Sequence, residues 1–190
     1  MATRFRVKGI LFVDYVRMLR AHKGVDWSER LLPDDLPYLH RRIHPGSWYP
    51  MDTFERMGNQ ILELVAQGDF GRVREWGRLS VDQLRAEQPG LLAKGDAMET
   101  VSRFQVLRSV YFDFDAIEVM MLHDGAALIG VSYQMGAPAE EAACWQTLGF
   151  FERLLELSGA TDVEATFVGR SWAGDPRTVL ALDWKLPRRA

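Results

Sequence analysis

Apolar residues recur at spacings of three and four through most of the first 110 positions, and at spacings of two afterwards. Phe12, Tyr15, Val16 and Leu19 form a helical stripe over 10–22 that Gly24 ends. Asp26 is placed to cap a short helix running to Leu31-Leu32, which Pro33 and Pro37 break. The stretch 38–50, with two prolines and Gly46, reads as an irregular or extended connection. Phe54, Met57, Ile61, Leu64 and Val65 share one face of a third helix, with Asp52 or Thr53 as its cap and Gly68 as its stop. A further helix from Asp69 carries Phe70, Val73, Trp76 or Gly77, and Leu84 inward until Pro89-Gly90. Residues 96–109 form a weaker helical pattern through Met98, Val101 and Phe104.

Beyond Val110 the period changes. Ile117, Val119 and Met121 alternate with Glu118 and Met120, and Asp124-Gly125 supplies a tight turn because glycine tolerates positive φ. Ala127, Ile129, Val131 and Tyr133 continue beyond it. Pro138 opens the strongest helix, 139–158, whose inner face is Cys144, Thr147, Leu148, Phe151, Leu154 and Leu155 and which Gly159 ends. Two more alternating strands follow, with Val163, Ala165 and Phe167 on one and Leu180, Leu182 and Trp184 on the other. Helices, hairpin, helix, hairpin is the order of an α+β fold, a helical N-terminal half packed on an antiparallel sheet. No linker divides the 190 residues, so one domain over 1–190 is expected.

A net charge of −3 and a pI near 5.8 give no global field for nucleic acid, and the pairs Arg41-Arg42 and Arg188-Arg189 do not reverse that. Cys144 is the single cysteine, which suits a reducing cytoplasm. The N-terminus lacks a signal-peptide pattern, and no apolar run approaches the roughly 18 residues of a membrane span.

The candidate chemistry is sparse. His40 and His44 have the i, i+4 spacing of a helical metal pair, but prolines flank them and no further ligand completes a set. His123 lies beside Asp124 at a hairpin tip, where a solvated side chain is normal. Cys144 is either a nucleophile or acyl site, or a small core residue, and its place on an inner helix face favours the core. Ser171 has no neighbouring base, and no phosphate loop or nucleophile elbow is present. Trp48, Tyr49, Phe104, Tyr111 and Phe112 are the aromatics placed to line a pocket, because they flank the irregular connections; filling the core explains them equally well.

Val7-Lys8-Gly9-Ile10-Leu11-Phe12, leading to Trp27 and Leu31-Leu32, resembles the opening of a haem-nitric-oxide-binding domain. The stretch from Trp48-Tyr49 and Pro50 to Val65 is similar to that family's next helix. The last helix and the strands joined by Gly174-Asp175-Pro176 look more like the 4-vinyl reductase branch of the same superfamily, which also holds Golgi-transport subunits. The combination most resembles a related family largely confined to myxobacteria. This resemblance implies a module with an internal apolar pocket.

It also implies ligands that the sequence lacks. The axial histidine of a haem-binding member belongs in the helix before the first hairpin, and 96–110 contains none. The Tyr-x-Ser-x-Arg propionate signature is replaced by Val131-Ser132-Tyr133-Gln134. The cysteines that the 4-vinyl reductase branch carries near its Gly-Asp loop correspond to Arg170 and Thr178. The expectation is therefore a cytoplasmic, non-enzymatic binding or sensory domain without haem, other cofactor or metal. Its contacts to a small apolar ligand are Trp48, Tyr49, Phe104, Tyr111, Phe112 and Cys144. It would pass a signal through a homodimer or a signalling protein. The alternative is an interaction scaffold with a filled pocket, using Met120, Met121 and Met135 as a contact face. Least favoured are a haem gas sensor and a thiol enzyme.

Overall fold

A computed structural model describes residues 5–186, so Arg188-Arg189 lie outside the described residues. The sheet has four strands, β3 (Ile117–His123), β4 (Ala126–Val131), β5 (Thr161–Gly169) and β6 (Thr178–Lys185), ordered β3-β4-β6-β5 and antiparallel throughout. A separate ribbon pairs β1 (Arg6–Lys8) with β2 (Trp48–Pro50). The helices are α1 (Gly9–Ala21), α2 (Leu36–His40), α3 (Met51–Gln60), α4 (Phe70–Glu87), α5 (Ala97–Leu107) and α6 (Ala137–Leu157).

Helix α6 lies between the sheet and α4 and packs on both. Its predicted inner face is buried in full, from Cys144 through Leu155. It meets Ile129, Leu180, Leu182 and Trp184 of the sheet in one contiguous apolar core that also takes in Phe12, Val16 and Leu19 of α1. Gly77 and Gly149 let α4 and α6 approach closely. A Cβ on Gly77 would strike the Gln146 carbonyl, and one on Gly149 the Arg74 carbonyl. Beside this contact Glu152, 4 % exposed, accepts hydrogen bonds from Arg74 on both oxygens and from Arg78.

Four local features differ from the sequence pattern. Pro37 does not break a helix; it sits in the first turn of α2, where its missing N–H would have no partner in any case. Asp26 does cap, but the turn it caps is three residues of 3-10 helix, Trp27–Glu29. Neither Asp52 nor Thr53 caps α3, because Pro50 occupies that position and the Thr53 hydroxyl instead donates to Asp35 at 2.7 Å. The helix then loosens into a π turn, Ile61–Val65, before Gly68 stops it at φ +73°.

A bulge between Val119 and Met121 inserts one residue into β3. The alternation therefore slips. Ile117 is buried and Val119 half-buried, but Met121 turns outward and Leu122 takes the inward phase. The tight turn at Asp124-Gly125 forms as the sequence predicts, with Gly125 at φ +84°.

The connection from α5 to β3 is the joint between the two halves. It passes through a 3-10 turn, Arg108–Val110, and then runs along the free edge of β1. Lys8 donates its N–H to the Tyr111 carbonyl at 2.8 Å, and Asp113 donates to the Arg6 carbonyl at 3.2 Å. The Asp113 carboxylate takes both the Arg6 N–H and its guanidinium, each at 2.6 Å. At its other end, Ser132 donates to the Ala116 carbonyl at 2.8 Å, so the same connection is tied to the sheet.

Candidate functional site

The six residues singled out from the sequence do not share one wall. Tyr49 is buried, stacks on Phe12 at 4.5 Å between ring centres, and its hydroxyl accepts the His44 N–H at 2.9 Å. Trp48 points to the opposite side of the ribbon, half-buried, with the Lys8 ammonium 4.3 Å from its ring centre. Phe104 packs edge-on against Phe151 under α6. Tyr111 and Phe112 lie in the α5–β3 connection, both buried, and Phe112 contacts the Phe114 and Tyr133 rings. Cys144 is fully buried on α6; burial pushes its thiol well above the ordinary value, the negative charge of Glu140 adds to this, and the Thr178 hydrogen bond opposes it. Such a thiol is a packing group and a poor nucleophile.

One opening adjoins these residues and a second lies among the helices. One is a groove of about 320 Å³ along the α5–β3 connection, lined by Arg108, Phe112, Asp113, Phe114, Asp115 and Ile117 among others. Its volume lies at the lower end of the range for small-molecule sites. Arg108 shapes one wall. Its guanidinium donates to the Ile117 carbonyl at 2.6 Å and the Gln105 carbonyl at 3.1 Å, so the turn after α5 is fixed to the first residue of β3. The other opening is a narrow crevice of about 20 Å³ between α1, α3, α4 and α6, lined by Tyr15, Gly58, Ile61, Trp76 and Gln146 among others. That is space for about one water. The groove could not be found from the sequence, because its lining comes from an irregular segment with no periodicity. Only Phe112 of the predicted set lines it.

A polar cluster closes the joint from the sheet side. Tyr133 donates its N–H to Glu140 at 2.8 Å, and Met135 does the same at 3.0 Å. The Tyr133 hydroxyl and the Thr147 hydroxyl are 2.5 Å apart, and burial raises the Tyr133 pKa. Burial also raises the pKa of Glu140, against the two backbone N–H groups that favour its charge. These groups hold the turn between β4 and α6.

The remaining candidates lie elsewhere. His40 ends α2 and His44 sits in the loop after it, both exposed, while His123 is exposed at its hairpin. His22, half-buried, has its ring nitrogen 2.9 Å from the Met18 carbonyl. Among the described residues no group of three or more metal-ligating side chains occurs. Thr178 is buried and accepts from the Ser171 N–H at 3.2 Å, whereas Arg170 is exposed. Met120 and Met121 are exposed and Met135 is half-buried. No helix among the described residues is long and apolar enough to cross a membrane.

Comparison with solved structures assigns the fold. An H-NOX protein from S. oneidensis in its Fe(II) ligation state is 12 % identical, covering 96 % of this chain and 98 % of that one, with a TM-score of 0.63. The H-NOX domain of T. Tengcongensis is 14 % identical, covering 96 % and 100 %, with a TM-score of 0.62. The chain therefore has the α+β fold of H-NOX domains over nearly its whole length. No family model matches it, and no curated protein does.

A haem does not fit the donor set of this chain. An iron ligand must reach the interior, and of the four histidines three are exposed and the fourth faces a helix carbonyl. Cys144 and Tyr133 are inside, and both are engaged in hydrogen bonds, Cys144 with Thr178 and Tyr133 with Thr147. The crevice among the helices has room for a water and not for a macrocycle.

Proposed function

We propose that this chain is a single small-molecule-binding sensory domain that uses the H-NOX fold without haem and without catalysis. The observation that carries this reading is the groove of about 320 Å³ at the joint between the helical half and the sheet, in a chain whose histidines all avoid the interior. Phe112, Phe114 and Ile117 supply an apolar floor, and Arg108, Asp113 and Asp115 a polar rim. That combination suits a small, mainly apolar molecule with one polar edge. Of the sequence-derived contacts, Phe112 touches such a ligand directly in this proposal; Tyr111, Tyr49, Phe104 and Cys144 form the packed support behind it.

The same segment makes a signal route. Residues 111–113 are hydrogen-bonded to β1 and Ala116 to the loop after β4. A ligand that shifts Phe112 must therefore move the β1–β2 ribbon relative to the sheet, in a fraction of molecules set by its differential affinity for the two arrangements. We place the domain in the cytoplasm, where a buried, unpaired cysteine stays reduced, and assign it to the myxobacterial family its sequence resembles.

The test is an absorption spectrum and a solvent extract of freshly purified protein. A colourless protein that releases an apolar compound by mass spectrometry, and no longer does so after Ala116→Trp fills the groove, is the expected result. A strong band near about 400 nm, as a ligated haem gives, would refute the haem-free reading. Repeated extracts with no compound would refute the ligand.

A further inference from the structure

The chain is acidic overall, yet its first 48 residues carry nine Lys and Arg against five Asp and Glu. The fold gathers part of that excess into a stripe. Between α2 and β2 the loop 41–47 runs antiparallel to α1 and is fixed to it at both ends. Gly9 donates to the Ser47 carbonyl and Ile10 to the Pro45 carbonyl, while Arg20 near the far end of α1 donates to the carbonyls of Tyr38, Leu39 and Arg41. Ile43 is the loop's buried anchor, and His40, Arg41, Arg42 and His44 are left exposed. Beside Ser47 the ribbon adds Arg6, Lys8 and Trp48, which share one face because Lys8 pairs with Trp48 and Arg6 with Pro50.

The cations of the stripe are held by aromatic rings more than by acids. Arg41 stands 4.1 Å from the Tyr38 ring centre and Lys8 4.3 Å from that of Trp48. Among the described residues neither forms an ion pair, and nor does Arg42, whereas the nearby acids are engaged: Asp113 with Arg6, Asp14 with Arg17 and Asp35 with Arg56. Rings orient a cation without neutralising it, so the stripe keeps its charge for an outside anion. From Ile10 to Arg20 the helix rises about 15 Å, which an extended segment of about five residues spans at roughly 3.3 Å each.

We infer that this stripe is a docking site for an extended acidic segment of a protein partner. Phospholipid is the poorer match. The loop's one large aliphatic side chain, Ile43, is turned inward, and the small ring of Pro45 is the only apolar side chain it exposes, too little to anchor in a bilayer. The proposal concerns a surface separate from the groove and stands whether or not that groove holds a ligand.

Titration of the full chain with a fluorescently labelled hexaglutamate peptide tests it. Saturable binding is expected, weakening with salt and falling by about tenfold or more in the R41E/R42E variant, as charge reversal at a complementary surface requires. The equivalent change at Arg177, which precedes β6 and pairs with Glu118 of β3, should leave binding intact. Peptide should also shift tryptophan emission in the native chain and not in Trp48→Phe, because it competes for Lys8. Equal binding to native chain and R41E/R42E, no binding at all, or sedimentation with phosphatidylserine vesicles in place of peptide binding would each overturn the proposal.

Discussion

Gly77 on α4 and Gly149 on α6 each lie against a backbone carbonyl of the other helix, three residues before the opposing glycine. Both are buried in helix interiors, where glycine costs about 1 kcal/mol relative to alanine. The cost is offset by the close packing that only a residue without a Cβ allows.

Alanine at either position should therefore destabilise the fold despite its better helix propensity. The expected loss is about 1–3 kcal/mol for each variant, the usual effect of overpacking, measured by urea denaturation. A gain in stability would show that the helices are free to separate.

The ion pairs beside this contact should behave asymmetrically. Removing Arg74 and Arg78 together strands the Glu152 carboxylate, whose side chain is 5 % exposed, and should cost about 3–5 kcal/mol. Adding Glu152→Leu should recover most of it, because the isolated charge is then gone. A double-mutant cycle checks both steps.

Asp35 gives the acid side of the stability profile a specific contributor. It is fully buried, and desolvation alone would raise its pKa. The Arg56 and Thr53 hydrogen bonds, the Arg56 charge and the Leu32 N–H outweigh that and hold it below the ordinary 3.8. With the folded pKa depressed, its contribution is complete above 3.8 and is lost as pH falls below that value. Asp35→Asn should cost about 1.5–3 kcal/mol at neutral pH and flatten the loss of stability on acidification, as read from melting temperatures between pH 2 and 7.

Cys144 should be inert in the folded chain. Its thiol is buried and its pKa raised, so alkylation at pH 8 should require unfolding. Rapid labelling in urea with negligible labelling in buffer, followed by mass spectrometry, is the expected outcome. Equal rates would reopen the thiol-enzyme reading.

Much of this architecture is legible in the sequence wherever burial is one-sided over many residues. Helix α6 has a full apolar face, and Gly159 ends it at φ +100°. The hairpin at Asp124-Gly125 follows from turn chemistry. What escapes is short or non-local. Three-residue strands such as β1 and β2 are too brief to show alternation, and they exist because each borrows hydrogen bonds from distant chain. The bulge in β3 cannot be read from Met120-Met121, since both phases offer a methionine. Most of the groove is invisible for the same reason. Its shape depends on where Arg108 and Asp113 find partners, and Asp113 finds Arg6 at a separation of 107 residues.

That long-range pairing also constrains how the chain acquires its structure. Strand β1 completes its hydrogen bonds only once residues 111–113 arrive, more than a hundred positions later. Closing so large a loop is entropically slow, and contacts of this kind delay folding. During synthesis the ribbon edge is left to water until residues 111–113 have emerged. Strand β1 is thus made well before it can settle.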